Sequence, residues 1–535
     1  MANALHKFLI LIGLPALSGV LLGVSAIPSN AYWFSFIALI PLLFASDYIL
    51  SYKKPLLTFT IQLAITLIVF YLSLGWWILQ ITNMSFLLGL TVVLPFLLLV
   101  PLYILFKKKE HILAPLFFIA TWITAEMIQS YFELGSPFFN LGYNLGANPE
   151  LIQWYEFTGA TGGTLWILSV NFLIYSFLKK LNTGRKQLIQ KSAVLTAVLF
   201  LPIIISTLIY HNYKEKGYSS EILVIHPSVN NYNEKFKVNI YDLMDIYLDV
   251  MLPEISENTD YVILPETAIT NAGWVKNLNR NLVFNHFHEH TDSFPNLKLI
   301  TGAVTYEEIS NVKKIKNYEK IPGIRYSKKH KTWYYTYNAA LHIEKKQPVQ
   351  MRVKEGLMPY QEYAPYPTIV PRLTPVGIDF QFSKRKVNRS VFEAANNIKT
   401  TAFICYEVVF NRLFFDAVRK GTQAFFIILN EGWYENSDVP QQVLQHSIIR
   451  AIETRRGIAH ASNSGISAII DQRGDVIAET DSKKADFLKN EIKMNRKVTI
   501  AARLGNYIEL LALLTSVSFF IYNLFYFFKK TRYKR

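Results

Sequence analysis

The residue whose type and position most directly suggest chemistry is Cys405, the only cysteine of the chain. It ends the apolar run 401–404 and is followed by Tyr406 and Glu407. Many α/β enzymes present a nucleophile in this way, at the carboxyl end of a buried strand. One cysteine cannot form an internal disulfide. Cys405 is therefore either a buried structural thiol, as free cysteines often are, or a nucleophile.

Two charged residues stand at positions that would suit a partner of such a thiol. Glu266 follows the strand-like run 261–264 and a proline, which would hold the carboxylate just beyond the strand end. Lys354 precedes a Pro-x-x-Glu turn that ends at Glu362. Taken singly, the acid could be a solvated turn residue and the lysine a surface charge. Their order along the chain, acid then lysine then cysteine, is what suggests a shared role.

The elements that must position these residues follow from the pattern of residues 221–500. Several short apolar runs there are continuous, as strands buried on both faces require. The predicted strands are 222–225, 261–264, 299–300, 339–343, 402–404 and 424–429, the predicted helices are 241–251 and 442–454, and a hairpin is predicted at 465–475. Alternating strands and helices predict an α/β fold, with layered sheets and outer helices. Two polar stretches, 272–335 and 355–398, are predicted to be irregular loops over a site.

The rest of the chain has the composition of a membrane protein. Of its 535 residues 51% are hydrophobic, yet 18% are charged, which suggests a membrane region joined to a water-soluble one. Eight apolar stretches are each near the ~20 residues that cross a bilayer as a helix. They are 8–27, 31–50, 56–79, 85–106, 112–131, 161–178, 192–210 and 506–528.

The basic residues predict how these spans are oriented. Sixteen Lys and Arg flank the spans at alternate ends, whereas the loops 28–30, 80–84 and 132–160 contain none. The positive-inside rule then places both termini in the cytoplasm. The predicted domains are a seven-span bundle (1–210), an outer domain (211–505), and an eighth helix with a basic tail (506–535). The flanks also explain most of the net charge of +16, so no nucleic-acid partner is predicted.

Other function classes are disfavoured by what the sequence lacks. The predicted spans contain few ionisable residues, with Asp47, Glu126 and Glu509 as the candidates, whereas transporters usually place several polar groups at mid-membrane. The histidines show no metal-ligand spacing, and there is no glycine-rich phosphate loop. We therefore expect an anchored enzyme with neither a metal nor a cofactor.

The ordered set Glu266, Lys354 and Cys405 resembles the nitrilase superfamily of carbon–nitrogen hydrolases, which use a Glu-Lys-Cys triad. Four more segments are similar to that superfamily: 430–433, 445–446, 450–455 and 462–465. With spans on both sides of such a domain, the chain resembles the apolipoprotein N-acyltransferase family, to which 135–143 and 158–163 are also similar. The fold that this resemblance implies is a polytopic α-helical membrane bundle plus an extracytoplasmic α-β-β-α sandwich.

The resemblance implies a role for each residue of the site. Cys405 is the expected nucleophile, Glu266 its general base, and Lys354 the cation that stabilises the oxyanion. Glu362 is expected to hold Lys354 charged and oriented. Glu407 either orients groups around the thiolate or binds the amine; the alternative is a structural salt bridge. Tyr406 and Trp433 are expected to bind substrate, with a core aromatic as the alternative for Trp433.

The resemblance also implies the reaction and its setting. An acyl chain would move from a membrane phospholipid, through a Cys405 thioester, to the α-amino group of the N-terminal cysteine of a diacylglyceryl apolipoprotein. The protein would then be a monomer in the inner membrane of a bacterium, with its catalytic domain in the periplasm. The bilayer itself would be a partner, because both substrates are bound to it.

Some residues depart from the family pattern, and two rival functions remain open. The chain has Asn430-Glu431 where the family often has Asn-Asp, Gln361 where it often has Gly, and Tyr232 where a relative carries Trp. The first rival is a membrane-anchored amidase or nitrilase, against which the many spans argue. The second is a non-enzymatic receptor or transporter component, which predicts a degraded triad and more polar spans.

Overall fold

The computed structural model divides the chain into two compact units. One comprises residues 1–211 and 504–535, and the other residues 212–503. The residues that the structure describes are 2–75, 85–109, 112–132, 135–179, 181, 185–230, 235, 237–311, 324–359, 361–363, 382–383, 391–432, 437–480 and 484–532.

All regular secondary structure among the described residues of the first unit is helical. Its α-helices are α1 (Ala2–Phe8), α2 (Leu14–Ala26), α3 (Ile40–Tyr48), α4 (Pro55–Leu74), α5 (Ser85–Leu99), α6 (Tyr103–Lys107), α7 (Ala114–Tyr131), α8 (Tyr155–Thr158), α9 (Ala160–Lys179), α10 (Arg185–Asn212) and the C-terminal helix (Tyr507–Arg532). A π-helical turn, Leu9–Gly13, joins α1 to α2. Short 3₁₀ turns, including Pro137–Phe139 and Leu141–Leu145, build the segment between α7 and α8.

Six described helical stretches are long and apolar enough to cross a membrane. They are Asn3–Ala26, Ala31–Ser51, Pro55–Leu74, Gly89–Lys107, Ala160–Lys179 and Arg185–Asn212. Two more predicted spans are helical as well, as α7 and the C-terminal helix, but neither belongs to this set of six. The predicted total of eight spans therefore stays a prediction, as does their orientation. Residues 76–79 of the third predicted span lie outside the described residues.

Small residues let two helices of this unit approach closely. A Cβ atom on Gly19 of α2 would lie 2.5 Å from the carbonyl oxygen of Thr66, and one on Gly23 would lie 2.5 Å from the Cβ of Ser73. Both neighbours are on α4, so only glycine permits this packing. Close approach through small residues is typical of helices that associate in lipid.

The ionisable residues of the predicted spans all have partners within the unit. Asp47 pairs with Lys107 at 3.0 Å and with Lys179 at 2.9 Å. Buried Glu126 accepts hydrogen bonds from the Thr164 hydroxyl, the Leu141 amide and the Trp122 indole. Glu509 accepts one from Thr161. These contacts tie helices and loops together, which supports the expectation of an anchor.

The second unit contains two β-sheets. Its strands are β1 (Tyr218–His226), β2 (Thr259–Ile263), β3 (Lys298–Glu308), β4 (Ile324–Ser327), β5 (Thr332–Glu344), β6 (Gln350–Val353), β7 (Phe392–Glu393), β8 (Lys399–Ile404), β9 (Ala424–Leu429), β10 (Ile458–Ser462), β11 (Ala468–Ile470), β12 (Val476–Glu479) and β13 (Asp486–Met494). The first sheet has the order β13-β1-β2-β3-β5-β4, with β6 also paired to β5. The second has the order β12-β11-β10-β9-β8-β7.

Strand direction places the carboxyl ends of several strands at one edge of each sheet. In the first sheet β1, β2 and β3 are parallel, and β6 has the same direction because β3 and β6 are both antiparallel to β5. In the second sheet β8, β9 and β10 are parallel. The two sheets meet at these carboxyl ends, since the Glu266 amide donates to the Leu429 carbonyl at 3.3 Å.

The two sheets pack face to face between outer helices. Apolar residues of both sheets, such as Val224, Ile263, Ile404 and Phe426, form one buried cluster between them. The outer face of the first sheet packs against α11 (Ile240–Met251) and α12 (Leu282–His290). On the second sheet, Phe403 stacks on Phe414 of α13 (Asn411–Arg419), and Phe425 contacts the same ring edge to face. This is an α-β-β-α sandwich, as expected.

Most predicted elements of this unit are confirmed, and one stretch is not. All six predicted strands, the hairpin and both helices are present; the second helix is α14 (Val439–Thr454), and a short α15 (Ile500–Leu504) follows β13. The prediction that 272–335 is irregular is wrong, because α12, β3, β4 and the start of β5 fall within it. Within it only the strand at 299–300 was predicted; the polar sequence hid α12 and β4, which bury only part of their surface. Much of 355–398 lies outside the described residues.

Candidate active site

Cys405 follows β8 directly and starts a 3₁₀ turn, Cys405–Val409. Its φ of +47° puts a non-glycine residue in the left-handed region. Such a conformation costs about 1–3 kcal/mol and persists only where the surroundings hold it. The Glu407 side chain helps to hold this conformation, because its carboxylate accepts a hydrogen bond from the Ile404 amide at 2.8 Å. The half-buried thiol is thus presented on a sharp turn at the strand end.

Glu266 lies just beyond the carboxyl end of β2, as its Leu-Pro-Glu context predicts. The next residue, Thr267, also has a left-handed backbone, with φ of +49°. A Cβ on Gly302 of β3 would lie 2.6 Å from the Glu266 Cα, so this glycine makes room for the turn. The carboxyl side chain is 8% exposed. It is therefore buried at the edge where the two sheets meet.

Lys354 follows β6, and its ammonium joins two carboxylates. Its Nζ donates to Glu266 Oε1 at 3.1 Å and to Glu362 Oε1 at 2.7 Å. The side chain is only 1% exposed. Burial alone would lower the pKa of Lys354, but the charges of Glu266, Glu362 and Cys405 outweigh it and hold the pKa well above its usual value. Lys354 is therefore a permanent cation at this site.

Asn338 of β5 is a second link between the same two carboxylates. Its Nδ2 donates to Glu266 Oε1 at 2.7 Å and to Glu362 Oε1 at 3.3 Å, and its carbonyl accepts the Lys354 amide. The Met358 amide donates to Glu362 Oε2 at 2.8 Å. Burial, together with the charge of Glu266, raises the pKa of Glu362 although Lys354 opposes this. The predicted Pro-x-x-Glu turn thus returns Glu362 to the lysine that precedes it.

These charges act on Cys405. Burial raises the pKa of the Cys405 thiol well above its usual value, and the carboxylate of Glu266 adds to this rise. Lys354 opposes the rise, while Glu362 and Glu431 contribute to it in their ionised forms. The resting group is therefore a neutral thiol, which needs a base to become a nucleophile. The structure brings Glu266, Lys354, Glu362 and Cys405 together.

Glu407 lies in a separate ion pair with Arg352. Its Oε2 and Oε1 accept hydrogen bonds from the two terminal nitrogens of Arg352, at 2.6 Å and 2.8 Å. Oε1 also accepts the Glu355 amide at 2.7 Å. Burial would raise the pKa of Glu407, but Arg352 and these hydrogen bonds lower it. Of the two expectations for Glu407, this geometry favours the structural salt bridge.

Of the two predicted substrate-binding residues, the structure describes Tyr406 but not Trp433. Tyr406 is half-buried and makes an edge-to-face contact with Phe410, with ring centroids 5.3 Å apart. Its expected substrate contact stays a prediction. Trp433 lies outside the described residues, as does Tyr232. No group of three or more His, Cys, Asp or Glu that could hold a metal ion occurs among the described residues.

Sequence reasoning missed three residues at this site. Asn338 was detectable as a polar residue within an apolar strand, and Arg352 as a charge on the strand before Lys354. Lys235 had no local signal. It is fully buried and donates to the Glu266 carbonyl oxygen at 2.8 Å. Burial lowers the pKa of Lys235 to about 7, although the charge of Glu266 opposes this.

Both units match known families. Residues 18–173 match the apolipoprotein N-acyltransferase N-terminal domain, and residues 241–501 match the carbon-nitrogen hydrolase domain. The chain belongs to the apolipoprotein N-acyltransferase family. The first of these domains lies within the helical unit, which contains six long apolar stretches, so this member of the family is a multi-pass membrane protein.

Relatives with that name align along most of the chain. The apolipoprotein N-acyltransferase of Chlorobaculum tepidum is 25% identical and aligns over 91% of both chains. That of Rickettsia prowazekii is 24% identical over 83% of this chain and 82% of its own. A solved nitrilase-superfamily structure from Saccharomyces cerevisiae is 14% identical, covering 54% of this chain and 93% of its own with a TM-score of 0.35.

Proposed function

We propose that the chain is an apolipoprotein N-acyltransferase that works through a Cys405 thioester. The acyl donor is a membrane phospholipid, and the acceptor is the α-amino group of the N-terminal cysteine of a diacylglyceryl apolipoprotein. The observation that carries the proposal is the Lys354 ammonium, hydrogen-bonded to Glu266 and Glu362 beside the only cysteine of a membrane-bound chain. That set contains a nucleophile, a base and a fixed positive charge.

In the first half-reaction Glu266 takes the proton of the Cys405 thiol as Sγ attacks the ester carbonyl carbon. The negative charge that develops on the carbonyl oxygen is stabilised by Lys354, which stays protonated. The tetrahedral intermediate collapses, the ester C–O bond breaks, and Glu266 returns its proton to the departing alkoxide. A lysophospholipid leaves, and the acyl chain remains on sulfur as a thioester.

In the second half-reaction the α-amine of the acceptor attacks the thioester carbonyl. Glu266 takes a proton from the attacking nitrogen, and Lys354 again stabilises the oxyanion. The C–S bond breaks, an amide forms, and the proton held by Glu266 returns to the Cys405 sulfur. The raised pKa of the thiol suits this cycle, because no thiolate persists to react with other electrophiles between turnovers.

The membrane unit serves this reaction by concentrating both substrates. Phospholipid and lipoprotein are confined to the bilayer, so an anchored site meets them at high effective concentration. In this proposal the enzyme lies in the bacterial inner membrane, residues 211–505 are periplasmic, and both termini are cytoplasmic. A cysteine introduced at the exposed residue Lys276 on a Cys405→Ala background should react with impermeant maleimide in intact spheroplasts. Labelling only after lysis would invert this orientation.

The test of the reaction is the intact mass of the full-length protein after incubation with phospholipid. We expect a gain equal to one acyl chain that hydroxylamine removes, and no gain in Cys405→Ser. Addition of a diacylglyceryl lipopeptide should discharge the adduct and yield an N-acylated peptide. A wild-type protein that releases labelled acyl to lipopeptide without ever forming the adduct would contradict the thioester. Cys405-dependent hydrolysis of a small amide, with no lipopeptide product, would favour the amidase rival.

A further inference from the structure

Glu431 lies among the reacting groups but has no part in the reaction described above. It is the second residue after β9, and β9 is the neighbour of the strand that ends at Cys405. The Leu429 carbonyl, two residues before Glu431, accepts the Glu266 amide at 3.3 Å. Electrostatic interactions link Glu431 to Cys405 and to Glu266. Glu431 is therefore part of the same site.

Only one oxygen of this carboxyl group is satisfied. Oε2 accepts the Ser462 hydroxyl at 3.0 Å and the Ile466 amide at 3.3 Å. Oε1 is buried and has no hydrogen-bond partner among the described residues. The residue is 1% exposed. The 462–466 loop fits closely around the satisfied oxygen, since a Cβ on Gly465 would lie 2.3 Å from Oε2.

This arrangement favours the protonated form of Glu431. A buried carboxylate with an unpaired oxygen is strongly disfavoured, because the lost hydration is not replaced. Burial, with a contribution from the nearby Glu266, raises the pKa of Glu431 to about 8 although Ile466 and Ser462 lower it. A neutral carboxyl group has one accepting oxygen and one O–H donor. The Ser462 hydroxyl also contacts the Ser464 carbonyl oxygen, but the Ile466 amide can only donate, so Oε2 is the accepting oxygen and we place the proton on Oε1.

We propose that Glu431 is a neutral acid whose Oε1–H donates a hydrogen bond to the carbonyl oxygen of the acyl group held at Cys405. This rests on the proposed acyl transfer and adds a second donor to Lys354. A neutral donor fits the charge of the site better than a carboxylate would. Glu266 and Cys405 face Glu431, the 462–466 loop adds no charge, and a third carboxylate would raise the pKa of the thiol further.

Two substitutions of similar size distinguish the loss of the hydrogen-bond donor from the loss of side-chain volume. Glu431→Gln keeps a donor, as an amide, and cannot ionise, whereas Glu431→Leu removes the donor. The measurement is the rate of adduct formation by the full-length protein in mixed micelles of phosphatidylethanolamine and phosphatidylglycerol at pH 7. We expect Glu431→Leu to lose about 10²-fold, the usual scale for an oxyanion donor, and Glu431→Gln to lose less than about tenfold. Equal losses in both variants, or none in Glu431→Leu, would overturn the proposal.

The pH profile gives a second reading that does not depend on Glu431→Leu folding. Wild-type acylation should fall above pH 8, where Glu431 ionises, and Glu431→Gln should show no such fall. Identical profiles would overturn the proposal.

Alkylation of Cys405 by iodoacetamide needs no lipid, so it separates this proposal from the proposed function. Above pH 8 the Gln variant should alkylate faster than wild type, because it lacks the charge that raises the pKa of the thiol. Faster alkylation of the Gln variant can be observed even if no acyl adduct ever forms. The absence of the adduct would overturn the proposed acyl transfer and the hydrogen bond to the acyl group, but not the ionisation of Glu431 beside Cys405. Equal alkylation rates would show that Glu431 does not ionise beside Cys405 and would overturn the proposal.

Discussion

Two buried cations stand two residues apart at the end of β6, and their surroundings differ. Arg352 gives both terminal nitrogens to Glu407, whose oxygens also accept the Ile404 and Glu355 amides. Lys354 instead divides its ammonium between two carboxylates that share one amide donor, Asn338. Among the described residues, both hydrogen bonds to the Glu266 side chain fall on Oε1, which leaves Oε2 open.

The difference separates a structural ion pair from a reactive one. A bidentate pair with its remaining lone pairs filled by backbone amides can neither accept a proton nor meet a substrate without breaking. Around Lys354, by contrast, Glu266 keeps an open oxygen that can accept a proton, and the shared ammonium can donate to a substrate. We therefore expect changes at Lys354 to appear mainly in rate and changes at Arg352 mainly in stability. The four predictions below test that division, in order of expected effect.

The largest effect should follow Lys354→Met, which keeps the length of the side chain but removes its charge. Acyl transfer from phospholipid to lipopeptide should fall about 10³-fold, because the oxyanion loses its cation. Lys354→Arg is the matched control. Its planar guanidinium keeps the charge but not the geometry, and we expect a loss of about 10²-fold. Near-normal turnover in either variant would contradict the assigned role.

Arg352→Met should act on stability instead. It leaves Glu407 buried without its partner, which typically costs about 3–5 kcal/mol. Because the folded-state pKa of Glu407 lies below its ordinary value of 4.5, the pair stabilises the fold above that pH and loses its effect as pH falls through the lowered pKa. The difference in melting temperature between wild type and variant should therefore be largest at neutral pH and shrink below pH 4.5.

A double-mutant cycle provides the control for this second prediction. Arg352→Met combined with Glu407→Gln should melt well above Arg352→Met alone, because no uncompensated charge remains. The corresponding pair at the other cation, Lys354→Met with Glu362→Gln, should recover no activity, because the oxyanion still lacks its cation. If the first double variant were no more stable than its parent, Glu407 would not be acting as the partner of Arg352.

Asn338→Asp should have an intermediate effect. The change keeps the shape of the side chain but replaces the donor shared by Glu266 and Glu362 with a third carboxylate. Hydrogen bonds to charged groups contribute about 1.5–3 kcal/mol, so we expect a loss of about 10- to 100-fold in acyl transfer. Asn338→Gln, which retains an amide, is the comparison. A variant that kept full activity would show that Lys354 alone positions the two acids.

The smallest expected effect is a gain, and it concerns the thiol alone. The variant is Glu266→Gln, which lacks the base, so the measurement is alkylation of Cys405 rather than acyl transfer. It should alkylate with iodoacetamide faster than wild type at pH 8, because the charge of Glu266 raises the pKa of Cys405. Lys354→Met should alkylate more slowly, since Lys354 lowers that pKa. Slower alkylation of Glu266→Gln together with faster alkylation of Lys354→Met would show that the charges around Cys405 are assigned wrongly.

Much of the secondary structure, and the positions of two site residues, could be predicted from local patterns in the sequence. A continuous apolar run that ends abruptly marks a buried strand and its tip, so β2, β8 and β9 and the places of Glu266 and Cys405 were predictable. The helices of the membrane unit were predictable from long apolar stretches in the same way. Amphipathic elements of a polar stretch, such as α12 and β4, were missed because only one of their faces is buried.

The pairing of charges was decided only by the tertiary structure. Arg352 and Glu407 are 55 residues apart in sequence, and Lys354 and Glu266 are 88 apart. Nothing local distinguishes Arg352, whose two terminal nitrogens bind one carboxylate, from Lys354, whose ammonium binds two. Strand direction and register bring four strand ends to one edge, and burial there makes each partner obligatory. The sequence by itself thus determined which residues stand at strand ends, while packing decided which of them meet and which oxygens stay open.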